Sequence, residues 1–198
     1  MTASTASTNP GDVTLQWKLS PIQREYFESP AKYRTLLGGR RFGKNIVGIS
    51  SEIDYALQPG TYEYGRDDAE QVVVWWVAPT YNQALKYGFN TAMDIIPEAF
   101  VESTKKTIPF EIHLTNGARM EFYSYDNPKS LDGAGVDSMC IDERGYMPDS
   151  TWHENLAPML LDTGGRASFI GKPWPSEHFE QCFERGTSTD DQDAEYAA

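Results

Sequence analysis

The chain has 198 residues, 39% of them apolar, and a formal charge of −12. That supplies one sizeable core, in one domain or in part of a larger chain. It gives no support to direct DNA binding by this piece alone, because phosphate contact needs clustered Lys and Arg. Asp190, Asp191, Asp193 and Glu195 crowd the C-terminal end, but the remaining surface is still acidic. Cys140 and Cys182 are too few for a disulfide framework and fall at apolar positions, as reduced core thiols of a cytosolic protein do. Residues 1–12 are rich in Ser, Thr and Ala, with neither the basic start nor the apolar centre of a signal peptide. The strongest apolar run, residues 72–79, is far too short for a bilayer, so no membrane partner is expected.

There is no internal repeat. Residues 1–18 read as a flexible lead, and Leu19-Ser20-Pro21 opens a short helix carrying Gln23, Tyr26 and Phe27. Tyr33-Arg34-Thr35-Leu36-Leu37 reads as a strand, and residues 44–57 as a helix with Ile46, Ile49, Ile53 and Leu57 on one face. Residues 58–71 are Gly-rich and charged, as in an exposed connection. The run 72–78 is continuously apolar and β-branched, the pattern of a strand covered on both faces. Thr80 is placed to cap a helix carrying Leu85, Phe89, Ala92 and Ile96. Ile112 and Leu114, the turn Asn116-Gly117, then Met120 and Phe122 predict a hairpin.

Ser138-Met139-Cys140-Ile141 is a short apolar strand that runs into Asp142-Glu143. A helix follows from Ser150, with Trp152, Leu156 and Leu160 on one face, and stops at Gly164-Gly165. Residues 166–171 form another strand, and Ser176 caps a last helix with Phe179, Cys182 and Phe183. Strands alternating with helices predict an α/β fold: a mainly parallel sheet flanked by helices, of the P-loop NTPase type, with a β-hairpin insertion. The domain spans 19–186, and 187–198 reads as a disordered acidic tail.

Gly38-Gly39-Arg40-Arg41-Phe42-Gly43-Lys44-Asn45 keeps Gly-x-x-x-x-Gly-Lys and loses only the final Ser or Thr of a phosphate-binding loop. The glycines let backbone N–H groups turn inward, the helix start adds partial positive charge, and Lys44 adds a full one. A glycine turn followed by a surface lysine would look the same in so short a pattern. The acids at the end of the 138–141 strand supply the missing chemistry. One carboxylate can hold magnesium through water, which assigns Asp142 to the metal. The other can deprotonate an attacking water, which assigns Glu143 to the base; without the glycine loop, the pair reads as a solvated turn. Arg40 and Arg41 lie where either could reach a γ-phosphate or a neighbouring subunit, or could simply face solvent. Asn45 could offer its carbonyl oxygen to the metal in place of a hydroxyl, or serve only as a helix-start residue.

These pieces, in this order over residues 19–186, resemble the ATPase domain of the large terminase subunit of tailed viruses, which packages DNA into a prohead. The likeness runs from Leu19-Ser20-Pro21-Ile22-Gln23-Arg24 through the glycine loop and Trp76-Val77-Ala78-Pro79-Thr80. It continues along residues 130–143 to the Asp-Glu pair and ends at Phe169-Ile170-Gly171-Lys172-Pro173, where the family has its coupling motif, with His178-Phe179 after it. The resemblance implies ATP and Mg2+ as cofactors, with Gln23 on the adenine and Gly38, Gly39, Arg41, Phe42, Gly43, Lys44 and Asn45 around the phosphates. It makes Arg40 the sensing arginine, Asp142 (with Asn45) the metal site, and Glu143 the catalytic carboxylate. It implies double-stranded DNA, the portal protein, the small terminase subunit and a homo-oligomeric ring as partners, in host cytoplasm and transiently at the prohead portal.

Three positions depart from the family pattern. Asn45 replaces Thr or Ser, Asp132 stands where arginine is common, and Lys172 occupies the threonine of the coupling motif. The family also continues into a nuclease domain, so an N-terminal piece without DNA cleavage is expected. Two other readings share the core: a non-hydrolysing nucleotide-binding or assembly module, and a helicase-like translocase.

Overall fold

The computed structural model describes residues 5–7, 14–131, 135–173, 177–188 and 195–197. Eight strands form one sheet: β3 (Tyr33–Leu37), β4 (Val73–Ala78), β5 (Val101–Lys105), β6 (Phe110–Leu114), β7 (Arg119–Ser124), β8 (Ser138–Ile141), β9 (Arg166–Gly171) and β10 (Tyr196–Ala197). Their order across the sheet is β10-β3-β9-β8-β4-β7-β6-β5. Every pairing from β10 to β7 is parallel, and β6 and β5 continue antiparallel. The predicted hairpin is therefore continuous with the main sheet, because β7 pairs with β4 in register, Trp76 opposite Phe122. Strand β5 was not foreseen; Val101-Glu102-Ser103-Thr104-Lys105 lacks a clean alternation and takes its place as an edge against β6.

The alternation of β4 divides the core. Val74, Trp76 and Ala78 face one layer, with Val47, Ile49, Ile53 and Phe89, and Val73, Trp75 and Val77 face the other, with Met139, Trp152, Leu156 and Phe169. The first layer holds α1 (Pro21–Glu28), α2 (Lys44–Leu57) and a helix running from α3 (Tyr81–Gln83) through a wide π-helical turn (Ala84–Phe89) into α4 (Asn90–Ile95). The second holds a π-helical turn (Thr151–Leu156), α5 (Ala157–Leu161) and α6 (Glu177–Thr187). Both wide turns are absent from the sequence reading, since period-3.6 patterning does not register one inserted residue. Among the described residues, no helix is long and apolar enough to cross a membrane.

Local rules hold at the helix starts. Ser20 caps α1 in a reciprocal box with Gln23, and Thr80 caps α3 through the Gln83 N–H. Gly48 allows α2 to approach the sheet closely: a Cβ there would lie 3.1 Å from Cys140 Sγ and from Ile170 Cδ1. One predicted core position fails. Ile46, in the first turn of α2, is 52% exposed. The 58–71 connection is better held than expected, since Arg66 donates from Nε and Nη2 to the buried Asp137, at 2.8 and 2.6 Å. Both cysteines are free and buried, as expected.

Both ends contain described strands. Within the lead, β1 (Thr5–Ser7) and β2 (Thr14–Gln16) pair antiparallel. In the tail expected to be disordered, β10 joins the sheet beside β3. Asp132 and Ser176 lie outside the described residues.

Beneath α2 lies a charged cluster that no periodicity reveals. Arg34, Glu52 and Arg166 are all but completely buried. Arg34 donates to Ser51 and Ser168 Oγ at 3.0 and 2.7 Å and lies 3.7 Å from Glu52. Arg166 donates to Ser138, whose hydroxyl in turn donates to Glu52. Burial raises the Glu52 carboxyl, and Arg166 and Arg34 pull it back down. Removing one partner of such a group leaves the others charged and dry, at a cost of about 3–5 kcal/mol. Glu52→Ala is expected to lose that much stability in urea unfolding; a loss near zero would show that the cluster is neutral or solvated.

Candidate functional site

The parallel sheet order does what chain order does not. The loop 38–43 leaves β3, the acids leave β8, and β9 lies between those strands, so three strand ends meet on one rim. In parallel α/β sheets the crevice beyond the strand C-termini is where ligands bind. The Gly38 N–H donates to Gly171 O at 3.1 Å, which ties the loop to the end of β9.

The loop is shaped by its own residues. Gly43 has φ +84° and Arg41 φ +66°. A Cβ at Gly43 would lie 2.8 Å from Gln23 Nε2. Gly43 precedes α2 without a side-chain cap, so the helix presents its first N–H groups and the positive end of its dipole to the crevice. Lys44 is buried and donates to Gly38 O at 2.7 Å and Gly39 O at 3.2 Å, curling the ammonium back over the loop. Burial lowers its proton affinity, Glu143 raises it, Lys172 lowers it and Asp142 raises it, so one lysine responds to both acids. Arg40 and Arg41 are exposed.

Asn45 makes the contact between loop and acids: its Nδ2 donates to Asp142 Oδ2 at 2.9 Å. The sequence offered Asn45 as a metal ligand through its carbonyl oxygen. In the structure its amide nitrogen orients Asp142, drawn by the carboxylate charge directly opposite it. Asp142 is 3% exposed, and its Oδ1 is buried without a hydrogen-bond partner. Burial, then the charge of Glu143, pushes its carboxyl up to about 6, against the Asn45 hydrogen bond. An unpartnered buried carboxylate oxygen at a strand end fits a divalent ion or its water.

Glu143 stands in the left-handed region, at φ +49°. Its carbonyl accepts from Tyr125 Oη and from the Tyr146 N–H, both at 3.0 Å. The next residue, Arg144, is fully buried and donates to Met147 O and Asp149 Oδ1, which fixes the turn. The Glu143 Oε1 lies 2.8 Å from Lys172 Nζ, at the end of β9. Beyond them opens a cleft of about 660 Å³ lined by Gln83, Tyr125, Asp126, Glu143, Tyr146 and Lys172, among others.

Gln23, expected to contact adenine, has both ends of its amide engaged within the chain. Its Oε1 accepts from Ser20 N at 2.9 Å and its Nε2 donates to Phe42 O at 2.7 Å, so it braces the loop against α1. Sequence reading missed Tyr125 and Arg144. Tyr125 follows a strand whose end shares this rim, a signal that appears only once β7 is known to run parallel to β4.

A glycine loop entering a helix, opposed by two acids one strand away, is the site of a P-loop nucleotide-binding fold. No family model matches the chain. The "Terminase, large subunit" proteins of Thermus phage G20c and Thermus virus P23-45 are each 26% identical to it over 191 residues, covering 87% of this chain and 37% of theirs. The large terminase ATPase domain of Thermus phage P74-26 matches with a TM-score of 0.69 and 25% identity, over 87% of this chain and 72% of that one. The large terminase of another thermophilic bacteriophage, solved in complex with ADP, matches at 0.57 and 19%, over 77% and 38%. The chain is thus related in sequence to large terminase subunits and has the fold of their ATPase domain. It spans little more than a third of the curated relatives it matches.

The raised Asp142 carboxyl has a consequence for stability. An unfolded chain ionises it near the ordinary 3.8 and the folded chain near 6. Between those values the folded state holds the extra proton, so stability falls as pH rises, and above about 6 the penalty is complete at about 3 kcal/mol. Asp142→Asn is expected to be more stable than wild type by about 1–3 kcal/mol at neutral pH, with the gap closing toward about pH 4. Urea unfolding in EDTA across that range measures it, and a pH-independent gap would refute the assignment.

Proposed function

We propose that this chain is the ATP-hydrolysing motor domain of a DNA-packaging terminase. The observation that carries the reading is the Asn45–Asp142 hydrogen bond, which brings the phosphate-loop helix directly against the acidic strand end. Related large terminases bind ADP and ATP-γ-S on the same fold, which supports ATP as the nucleotide here.

The loop N–H groups, the α2 N-terminus and Lys44 bind and orient the polyphosphate. Asp142, held by Asn45, offers its free oxygen to Mg2+ or to a metal-bound water; the ion when bound neutralises charge on the phosphate oxygens. Glu143 takes a proton from the attacking water as that oxygen bonds the γ-phosphorus, and the bond to the bridging oxygen breaks to release ADP and phosphate. Arg40, exposed in the loop and close enough to oppose the charge of Lys172, is the sensing arginine. Double-stranded DNA, the portal protein, the small subunit and a ring of identical copies in host cytoplasm complete the machine. The formal charge of −12 supports DNA contact through the assembled motor over contact by this piece alone.

One observation favours a non-hydrolysing nucleotide-binding module: the base, Glu143, is paired with a lysine. Two substitutions decide between the readings. Lys44→Ala is expected to abolish Mg-ATP binding in equilibrium titration, and retained affinity rejects the loop. Glu143→Gln is expected to bind ATP while phosphate release falls by about 10²–10⁴, the range of a lost general base. Wild-type protein that binds ATP yet releases no phosphate, with DNA and partner subunits present, establishes the module.

A further inference from the structure

Lys172 is the side chain whose position the proposed function leaves unexplained. It follows Gly171, the last residue of β9, and reaches back 2.8 Å to the Glu143 carboxylate. Threonine, the residue that the resemblance leads one to expect there, could form no ion pair.

The two members of the pair differ in how much holds them. Glu143 is held at its backbone by Tyr125, Tyr146 and a left-handed φ. The Lys172 side chain is 37% exposed and that of Glu143 17%, so the lysine is the member free to swing. Its anchor cannot drift from the loop, because Gly171 O accepts from Gly38 N at 3.1 Å. The hydrogen bond to Glu143 raises the Lys172 amine, which stays charged, and Arg40 opposes that charge from the loop side. Lys172 and Lys44 thus lie within electrostatic reach of the acids, with Arg40 near Lys172.

A carboxylate hydrogen-bonded to an ammonium is a weaker proton acceptor, because one oxygen is engaged and the charged form is favoured. A polyphosphate cradled by the loop carries several charges where Glu143 carries one, so Coulomb attraction draws the ammonium toward the polyphosphate. We propose that Lys172 is an electrostatic latch on Glu143: it holds the carboxylate while the loop is empty and transfers to the terminal phosphate of a bound nucleoside triphosphate, freeing Glu143 to face the water. Lys172 is thereby a positioning residue that makes the base available only after a triphosphate has arrived. The latch rests on the nucleotide-binding reading above.

The test is equilibrium binding, with Mg2+, of the β,γ-imido analogue of ATP and of ADP, to wild type, Lys172→Met, Lys172→Arg, Glu143→Gln and the Lys172→Met/Glu143→Gln double variant. A charge-assisted hydrogen bond lost only with the triphosphate gives Lys172→Met an affinity for the analogue about tenfold weaker, and for ADP changed by less than about twofold. Lys172→Arg, which keeps the cation, should hold the analogue within about threefold of wild type. Glu143→Gln releases the lysine and should tighten the analogue, and the double variant should lose that gain. Equal weakening of both nucleotides by Lys172→Met, or a gain from Glu143→Gln that survives without Lys172, overturns the latch while leaving the phosphate loop intact. Wild-type protein that binds neither nucleotide overturns the phosphate loop itself, and the latch with it.

Discussion

Asp142 brings a carboxylate into a nearly closed site, and one amide hydrogen bond from the first turn of α2 orients it. That contact joins two segments almost a hundred residues apart in sequence and defines the crevice between them. Around it the site is electrostatically tense. Burial and Glu143 oppose the charge on Asp142, while burial opposes the charge on Lys44. Ionisable groups opposed by burial and by like charge in this way cluster at functional sites.

The crevice stays in place because the layer beneath it is rigid. Gly48 brings α2 into contact with Cys140, Ile170 and Trp76, so the helix that presents Lys44 and Asn45 rests on the strands that present Asp142 and Lys172. Under the same helix, Arg34, Glu52 and Arg166 link α2 to β3, β8 and β9 through Ser51, Ser138 and Ser168. Buried ions are poor sources of stability, but their directional bonds permit few alternative packings. Here they fix the register between helix and sheet.

Much of this was legible from residue order. The bounds of β3, α2, β8 and β9 agree with the patterning of apolar residues, α1 opens at Ser20-Pro21, and Thr80 caps the helix it was read to cap. The Gly-x-x-x-x-Gly-Lys loop and the Asp-Glu pair are local motifs with local signatures. Other features were beyond reach. The wide turns at 84–89 and 151–156 leave no mark on a helical period. Strand β5 exists because β6 offers it an edge. Gln23 is a brace because Phe42 O lies within reach of its amide, and Asn45 orients Asp142 because a carboxylate faces it.

The amino-acid sequence on its own determined the element types, the two chemical motifs and the class of fold, since each depends on periodicity, capping or a short run of residues. Only the tertiary structure decided which end of the sheet gathers those motifs, and that Lys172 stands between them against Glu143. The physical reason is strand order: β9, late in the chain, inserts between β3 and β8, and hydrogen bonding between strands at a distance in sequence carries no local trace.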